Sequence, residues 1–434
     1  MALKLGILKE TAKGETRVAA SPETIRKYAG MGLEVLVEKG AGEAASLSDT
    51  TLKDAGAKIV AKSEIVKSAG IVIGVQSPDD ATLKSLPKGT TVIALMNPYD
   101  KTKEAADWAK TGLNVLSMEL VPRITRAQAM DVLSSQSNLA GYKAVLDAAA
   151  HFNRAFPMMM TAAGTIAPAR VFVMGAGVAG LQAIATAKRL GAIVSATDVR
   201  PAAKEQVASL GGTFVAVEDE EFKQAETAGG YAKEMSAEYK AKQAALIEET
   251  LKKQDIIITT ALIPGRPAPK LLTKKMVEDM KDGSVIVDLA AERGGNCELT
   301  KPGDVVQVGG VTIIGYTNFA GRIATDASAL YAKNVFNLVG FLVKDGKFAP
   351  DWSDEILVGL TLTKESKVVH PLFGDVKAAP AAKATAETKA EPKPAAKKAP
   401  AKKAAATAKK APVKKAPAKK AATTAKKTPA KKGK

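Results

Sequence analysis

The sequence predicts an α/β protein with two doubly wound parallel-sheet domains and a cleft between them, followed by a disordered basic C-terminal tail. Three observations predict this organisation. Short β-branched runs alternate with amphipathic helical stretches over the first 120 residues. The same alternation starts again at Arg170, directly before a glycine-rich turn. The last 59 residues contain no aromatic side chain and are mainly Lys, Ala, Pro and Thr.

The first 120 residues have the pattern of a series of βαβ units. Strands are predicted at Lys4–Leu8, Glu34–Glu38, Ile71–Gln76, Thr91–Met96 and Asn114–Met118. Helices are predicted at Pro22–Gly30, Thr50–Gly56 and Thr102–Gly112, and each ends at a glycine, the residue favoured after a helix C-terminus. Strands that alternate with helices of this length form right-handed crossovers and a parallel sheet.

A second series of units follows. Its strands are predicted at Arg170–Met174, Ile193–Ala196, Phe214–Val217, Asp255–Thr260, Ser284–Leu289 and Thr312–Gly315, and its first helices at Val178–Leu190 and Ala202–Leu210. A 37-residue insertion separates Val217 from Asp255, and only its end, Ala244–Lys253, has the pattern of a helix. Long insertions in compact domains are usually lids or disordered, so we expect a mobile loop at about residues 218–240.

Helical periodicity returns at Asp326–Lys344, and we interpret this helix as a crossing back to the first domain. The predicted organisation is therefore an N-terminal Rossmann-like subdomain of residues 1–134 and 325–375, a second Rossmann-like domain of residues 135–324, and the tail at 376–434.

The net charge of +18 belongs almost entirely to the tail. Residues 376–434 contain 19 Lys and 2 Glu, and so carry +17, which leaves +1 for the other 375 residues. The high isoelectric point is therefore no sign of a nucleic-acid-binding fold in the domains themselves. The tail cannot bury enough apolar surface to offset its chain entropy, so we expect it to be disordered on its own.

Composition excludes several classes of protein. A single cysteine, Cys297, allows neither an intramolecular disulfide framework nor a thiolate metal cluster. Two histidines, His151 and His370, are too few and too distant for a zinc site, so no metal is expected. The apolar run at the N-terminus is too short for a signal peptide, and no uncharged apolar stretch reaches the roughly 20 residues of a membrane span. We expect a soluble chain whose membrane role, if it has one, is peripheral.

The sharpest motif is Gly175-Ala-Gly177-Val-Ala-Gly180, which follows a predicted strand and opens a predicted helix. Asp198 ends the next strand, 18 residues after Gly180, so the motif has the full context of a dinucleotide fingerprint. Gly175 permits the tight turn, Gly177 lets the backbone approach a pyrophosphate, and Gly180 lets helix and strand pack closely. Asp198 is expected to accept hydrogen bonds from the adenosine ribose. Its charge would repel a 2′-phosphate, which favours NAD(H) over NADP(H), although Arg200 lies nearby.

No residue stands out as the general acid or base that an ordinary dehydrogenase needs for a carbonyl or imine substrate. We interpret His151 and His370 as structural or surface residues. Hydride transfer between two nicotinamide rings needs no proton donor, so a site for that reaction could lack both a general acid and a general base. The abundant lysines leave the dehydrogenase alternative open.

The segment from Pro122 to Asn138 is unusually polar between two well-patterned regions. Thr125 and Gln128 have the spacing of a helix capping box, and Asp131 and Ser134 share a helix face at i,i+3. The spacing alone does not decide between this structural role and a catalytic one.

Several motifs closely resemble the NAD(H)-binding alpha subunit, or domain I, of proton-translocating NAD(P)+ transhydrogenase. The resemblance covers essentially all of residues 1–375. The motifs are Arg126–Gly141, Gly175–Ala192, Ala196–Arg200, Gly229–Met235, Thr259–Gly265, Asp288–Asn296 and Val368–Pro371.

The resemblance implies roles for individual residues. A loop between the two subdomains positions the nicotinamide in this family, and its catalytic members fall on Arg123, Gln128, Asp131 and Ser134. The insertion around Tyr231 corresponds to a loop that closes over the nucleotide. Fingerprint and resemblance together assign cofactor binding to Gly175, Gly177, Val178, Gly180, Asp198, Val199, Arg200, Gly230, Tyr231, Ala261 and Leu262.

The resemblance also implies partners. Members of the family form homodimers, pass hydride to NADP+ on a partner subunit, and depend on membrane-spanning subunits for proton movement. These properties imply a peripheral position on the cytoplasmic face of a bacterial inner membrane.

The related alanine dehydrogenases are the alternative, since they share the fold and the Arg17 of Glu15-Thr-Arg17-Val-Ala. Their substrate-handling Lys and His would fall near Gln76 and Met96, and neither residue can act as the base or as a cation here. This departure argues against an amino-acid dehydrogenase.

Three interpretations of the tail remain open. It could bind nucleic acid through phosphate neutralisation, rest on anionic lipid, or be a solvated extension without a function of its own.

Overall fold

The computed structural model describes residues 2–223, 235–263 and 265–374, and it has the predicted α/β fold with two largely parallel sheets. The strands are, in chain order, β1 Lys4–Ile7, β2 Glu34–Glu38, β3 Lys58–Val60, β4 Ile71–Gln76, β5 Thr91–Leu95, β6 Asn114–Ser117, β7 Met159–Thr161, β8 Gly164–Ile166, β9 Arg170–Met174, β10 Ile193–Thr197, β11 Thr213–Phe214, β12 Ile256–Thr259, β13 Val285–Asp288, β14 Val305–Val308, β15 Val311–Ile314, β16 Val343–Lys344, β17 Lys347–Phe348, β18 Thr361–Lys364 and β19 Lys367–Val368.

The helices lie between the strands. They are α1 Pro22–Gly30, α2 Asp49–Asp54, α3 Lys62–Ser68, α4 Asp80–Ser85, α5 Thr102–Thr111, α6 Val132–His151, α7 Val178–Arg189, α8 Ala203–Ser209, α9 Glu220–Lys223, α10 Ala237–Leu251, α11 Lys274–Glu278, α12 Ala324–Val339 and α13 Glu355–Leu360. Short 3₁₀ segments occur at Glu43–Ala45, Met118–Leu120, Thr125–Met130, Ala291–Arg293 and Ala320–Ile323. Within the described residues, no helix is long and apolar enough to cross a membrane.

The first sheet has, in the part of the chain described, the strand order β19-β18-β6-β5-β4-β1-β2-β3. Leu5 of β1 pairs in parallel with Ile71 of β4 on one side and with Val35 of β2 on the other. The chain thus winds outward in both directions from β1 and β4. Loops diverge at such a switch point, so a crevice is expected at the carboxyl ends of these two strands.

The second sheet has the order β11-β10-β9-β12-β13-β15-β14, and its switch point lies between β9 and β12. All neighbours are parallel except β14 and β15, which form an antiparallel pair. Every residue of β12 and β13 is buried. Helices cover parallel strands on both faces, which explains why these strands are continuous apolar runs rather than alternating ones.

The chain then rejoins the first sheet. Tyr331 of α12 is fully buried, and its hydroxyl donates a hydrogen bond to the carbonyl of Gly74 at 2.9 Å. Thr361 of β18 pairs in antiparallel fashion with Leu116 of β6. Helix α12 ends at Val339, five residues before the predicted end at Lys344. The last two residues of the predicted helix instead form β16, which pairs with β17 across the Asp345-Gly346 turn, where the φ angles are 51° and 72°.

Other boundaries also differ from the predictions. Helix α10 begins at Ala237 rather than at Ala244, because the Ser236 hydroxyl caps it by accepting a hydrogen bond from the backbone N–H of Tyr239 at 3.1 Å. The strand predicted at Phe214–Val217 is only Thr213–Phe214. Of the predicted mobile loop, residues 220–223 are helical, and residues 224–234 lie outside the described residues.

Candidate active site

The glycine-rich turn joins β9 to α7, and two of its glycines have the steric roles that the fingerprint predicts. Gly175 has a φ of +104°, a conformation that favours glycine. A Cβ on Gly180 would lie 1.8 Å from the carbonyl oxygen of Gly175. Only glycine at this position therefore lets the helix approach the turn so closely.

The third glycine borders open space. A Cβ on Gly177 would have no heavy atom of the described residues within 4 Å. Gly177 is also the N-cap of the 12-residue helix α7, and it makes no side-chain capping hydrogen bond. The first N–H groups of α7 are left for an external acceptor, and the helix dipole favours an anion there. The turn thus fits a bound pyrophosphate.

Asp198 lies beside this turn and is already well supplied with hydrogen bonds. Its Oδ2 accepts from the backbone N–H of Ala176 at 2.7 Å. Arg200 donates to the same carboxylate from its backbone N–H at 2.9 Å, from Nε at 2.9 Å and from Nη2 at 3.0 Å. The sequence places Arg200 only two residues from Asp198. In the structure its guanidinium contacts the Asp198 carboxylate directly. The predicted contact with a ribose stays a prediction, and it requires part of this Arg200 contact to give way.

Apolar side chains are exposed around the same sheet edge. Val178, Val199 and Leu262 are 41%, 63% and 53% exposed, and they follow β9, β10 and β12, which are neighbours in the sheet. Ile263 beside them is 45% exposed. An apolar rim around a turn with free N–H groups is typical of a site for a large organic anion.

A buried amide, which the spacing of residues did not single out, holds the turn that contains Ala261. The Asn296 side chain accepts from the N–H of Ala261 at 3.0 Å and donates to its carbonyl at 2.9 Å. It donates as well to the carbonyl of Pro269 at 2.8 Å, and it is fully buried. Asn296 ends one of the motifs that carry the family resemblance, which was the only signal for it in the sequence.

The polar segment after Pro122 adopts a structure that the capping-box interpretation did not predict. Thr125 does not cap a helix; it begins a 3₁₀ segment whose N-cap, Ile124, makes no side-chain capping bond. The true cap is Asp131, which begins α6 by accepting from the N–H of Ser134 at 2.9 Å and from its hydroxyl at 2.5 Å. Asp131 and Ser134 are thus brought together, whereas Arg123 and Gln128 are exposed on the preceding segment.

Close packing of α6 on α7 joins this segment to the glycine-rich turn. A Cβ on Gly141 of α6 would lie 2.0 Å from the carbonyl oxygen of Ala179, so the two helices touch backbone to backbone. The Asn138 amide donates to Gln182 of α7 at 3.3 Å. Gly230 and Tyr231, the remaining predicted cofactor residues, lie outside the described residues.

A second polar cluster lies at the switch point of the first sheet, and sequence reasoning missed most of it. Arg17 is buried and binds Glu15 through Nε at 2.8 Å and Nη2 at 2.6 Å. Gln76, at the end of β4, donates to the same carboxylate at 2.9 Å. Burial opposes ionisation of Glu15, but its bonds from Arg17 and Gln76 outweigh this and lower its pKa.

The pKa of Glu10 shifts in the opposite direction to that of Glu15. It accepts the backbone N–H groups of Val75 at 2.6 Å and of Gln76 at 3.1 Å. Burial nevertheless raises the pKa of Glu10 to about 7. The nearby negative charge of Glu15 adds to this increase.

Two groups of contacts connect the loops of the first sheet to those of the second. Arg293, after β13, donates to the Asn97 side chain at 2.8 Å and forms an ion pair with Asp100. Asn318 donates to the carbonyl of Gly14 at 3.1 Å and to Glu15 at 3.3 Å. The described loops therefore bring the carboxyl edges of both sheets together.

The fold and this site define a dinucleotide-binding protein of the dehydrogenase type. Models for the two domains of one family match the chain: alanine dehydrogenase/PNT, N-terminal domain, over residues 6–140, and alanine dehydrogenase/PNT, C-terminal domain, over residues 144–371. The chain is 52% identical over 379 residues to the first part of the alpha subunit of NAD(P) transhydrogenase from Rhodospirillum rubrum, a match that covers 85% of this chain and 98% of that protein. It is 31% identical over 303 residues to alanine dehydrogenase of Mycolicibacterium smegmatis, over 69% of this chain and 75% of that enzyme.

A crystal structure of transhydrogenase from Sinorhizobium meliloti superposes with a TM-score of 0.78 at 51% identity, over 84% of this chain and 100% of that chain. The chain therefore belongs to the alanine dehydrogenase/PNT family and is a homologue of the alpha subunit of NAD(P) transhydrogenase. This confirms the family resemblance found in the sequence, and it places the alanine dehydrogenases at a greater distance.

Glu10 makes stability depend on pH in a predictable direction. The unfolded chain releases the Glu10 proton near pH 4.5, whereas the folded chain keeps it to about pH 7. Stability therefore falls as the pH rises through this window. In Glu10→Gln this loss disappears, so we expect the decrease in unfolding free energy from pH 5 to pH 8 to shrink by about 2–3 kcal/mol. Urea unfolding at the two pH values measures it.

Glu23→Gln is the matched control. Hydrogen bonds from Lys27 and Lys333 lower the pKa of the exposed Glu23 to about 2, so it is ionised in the folded state and mostly ionised in the unfolded state over this pH range. The control should keep the wild-type pH dependence. The assignment to Glu10 is wrong if Glu10→Gln keeps it too.

Proposed function

We propose that this chain is the NAD(H)-binding component of a proton-translocating, Re/Si-specific transhydrogenase. It passes hydride between NAD(H) bound here and NADP(H) held on a partner subunit. The observation that carries the proposal is the glycine-rich turn with Asp198 bonded to its Ala176 amide, in a chain whose close relatives are named transhydrogenase alpha subunits. Membrane-spanning partner subunits would couple the transfer to proton movement.

The nicotinamide ring supplies the hydride chemistry, and the chain supplies binding and orientation. Gly177 and the N–H groups of α7 hold the pyrophosphate. The ribose hydroxyls take over part of the contact that Arg200 makes with Asp198. The negative charge of Asp198 excludes a 2′-phosphate, and this selects NAD(H) for this subunit.

The nicotinamide end is handled by the segment that leads into α6. Asp131 and Ser134 form one hydrogen-bonded unit, and Arg123 and Gln128, which precede them in the chain, are exposed. Exposure in the free subunit fits groups that must contact a nicotinamide and the partner subunit at the same time. Gly230 and Tyr231 belong to the loop that closes over the nucleotide.

Amino-acid dehydrogenation is less well supported. The Gln76 amide is bound to Glu15, and Met96 is fully buried, so neither position offers a base or a cation to a substrate. Formation of NADH from alanine and NAD+ by the purified chain would contradict the transhydrogenase proposal.

A homodimer is supported by the hairpin of β7 and β8. Both strands are exposed along their whole length, and Met160 at its centre is 77% exposed. An isolated two-stranded hairpin with exposed methionines is only marginally stable in water, so it gains from being covered by a second copy. A monomer in sedimentation equilibrium at micromolar concentration would rule out this dimer.

The chain acts at the cytoplasmic face of a bacterial inner membrane as a peripheral subunit, and the basic tail contributes by resting on anionic lipid. Each Lys near such a surface adds about 1 kcal/mol at most. Co-sedimentation with anionic vesicles and with DNA, each with and without residues 376–434, separates this role from DNA binding and from a solvated extension. Equal sedimentation of both forms contradicts a lipid-binding tail.

Two variants test the proposed catalytic residues. Asp131→Asn keeps an acceptor oxygen at the N-cap of α6 but removes the charge, and Arg123→Ala removes an exposed cation. We expect both to slow hydride transfer from NADH to an NADP+ analogue by about 10- to 100-fold, because the nicotinamide is held less well. The measurement is single-turnover transfer in the complex reconstituted with the NADP(H)-binding partner, with NADH affinity from calorimetry.

Arg126→Ala is the matched control, since Arg126 is a neighbouring exposed arginine that forms an ion pair with Asp354 and is not among the residues proposed to act on the nicotinamide. It should behave as wild type. If NADH binding and transfer fall together in Asp131→Asn and Arg123→Ala, these residues do not act at the nicotinamide.

Nucleotide selectivity tests Asp198. The wild-type chain should bind NADH far more tightly than NADPH. In Asp198→Ala, the lost hydrogen bonds should weaken NADH binding by about 10- to 100-fold, and the released Arg200 should improve NADPH binding. The double variant Asp198→Ala/Arg200→Ala should lose that improvement. Equal affinity of the wild type for both nucleotides, by isothermal titration, would refute this role of Asp198.

A further inference from the structure

The carbonyl of Ala129 is held by two amides from α12. Ala129 lies between Gln128 and Asp131, two residues proposed to act on the nicotinamide. Asn334 and Asn337 each donate a side-chain hydrogen bond to its oxygen at 2.8 Å. The two asparagines are three residues apart and thus lie on one face of the helix. Two donors on one backbone oxygen fix the orientation of that peptide group.

Asn334 also reaches the other side of the Asp131 cap. Its Oδ1 accepts from the hydroxyl of Ser135 at 2.7 Å. One side chain therefore contacts the chain both before Asp131, at Ala129, and after it, at Ser135. Asn334 is 8% exposed, whereas Asn337 is only half-buried, so the hydrogen bond from Asn334 is the better shielded of the two.

The hydrogen bond from Asn334 to the Ala129 carbonyl is the last in a longer chain of hydrogen bonds. Arg17 donates from Nη1 to the Gln136 side chain at 2.8 Å, and Gln136 donates to the hydroxyl of Ser135 at 3.3 Å. Arginine has no acceptor, so its donation determines which way each following amide and hydroxyl must point. Glu15 in turn holds Arg17. The chain of bonds runs from the first-sheet crevice to Ala129.

Apolar packing alone does not fix the orientation of the peptide groups between Gln128 and Asp131. Ala127 and Met130 are buried in the same core as Tyr331 and Val335 of α12, which anchors one side of the 3₁₀ segment. Apolar contacts are non-directional and do not set the rotation of a peptide plane. The rotation between Gln128 and Asp131 is set by the two amide bonds to Ala129.

We infer that Asn334 is a positioning residue for hydride transfer: it orients the Gln128–Asp131 segment toward the nicotinamide by clamping the Ala129 carbonyl. This inference rests on the proposed function. Asn334 does not contact the reacting atoms. Its effect is on rate because a displacement of about 1 Å at a reacting group can cost about 100-fold.

The test uses Asn334→Asp in the full chain, reconstituted with the NADP(H)-binding and membrane-spanning subunits. Aspartate has the shape of asparagine and can still accept from Ser135, but it cannot donate to Ala129. We expect single-turnover hydride transfer to slow by about 10- to 100-fold, while NADH affinity stays within about twofold. Ser135→Ala removes the hydrogen bond to Asn334 together with the hydroxyl's bonds to Gln136 and to the Val132 carbonyl, but it keeps the Asn334 donation to Ala129. It should therefore give a smaller decrease in the same direction. It also provides a second variant should Asn334→Asp fold poorly.

Two comparisons separate positioning from a general loss of stability. Lys333→Ala changes the neighbouring residue of α12, whose ion pair is with Glu23, and it should transfer hydride at the wild-type rate. Asn334→Asp combined with Asp131→Asn should be no slower than the slower single variant, because both act through one element. Multiplied effects, or loss of rate only in step with NADH affinity, would overturn the inference.

The outcome for the wild type distinguishes the two levels of proposal. If the reconstituted wild-type complex transfers no hydride, the proposed function fails and the positioning role fails with it. If the wild type is active and the Asn334 and Ser135 variants match it, only the positioning role is wrong.

Discussion

The close approach of α7 to the end of β9 is the constraint on which the candidate site depends. It exists because Gly180 has no side chain to meet the carbonyl of Gly175, 1.8 Å from where a Cβ would be. The approach sets the first turn of α7 next to Asp198 and directs free N–H groups into the space beside Gly177. Any larger residue at Gly180 would move the helix, and the proposed pyrophosphate and ribose positions would move with it.

Close packing of helices also fixes the parts of the candidate site that α6 and α12 carry. Gly141 lets α6 rest on the backbone of α7, and α6 starts at Asp131, so the proposed nicotinamide residues are fixed relative to the glycine-rich turn by helix packing. Helix α12 then ties the segment before α6 to the first sheet. The site is thus held by rigid elements from both sheets, and its exposed residues lie on the short connections between them.

Regular elements could be predicted from the sequence because their signals are local. Apolar runs, glycines after helices and the fingerprint spacing identified β9, α7 and Asp198 directly. What could not be predicted depends on partners distant in the chain. The capping-box interpretation of Thr125 was wrong because Asp131 takes the cap instead. The bonds from Asn296 to Ala261, from Arg17 to Gln136 and from Asn334 to Ala129 join residues 35, 119 and 205 positions apart, which no local pattern encodes.

The ion pair of Asp198 with Arg200 has a consequence for the binding and release of the proposed nucleotide. In this structure the Asp198 carboxylate already accepts hydrogen bonds from Arg200, so a ribose bound as proposed would have to replace some of these bonds. On this proposal Arg200 competes with the ribose for Asp198: it would lower the net free energy gained on nucleotide binding and re-form its bonds as the nucleotide leaves. On the proposed function the nucleotide must leave after each hydride transfer, and this ion pair would then leave no unpaired buried charge behind.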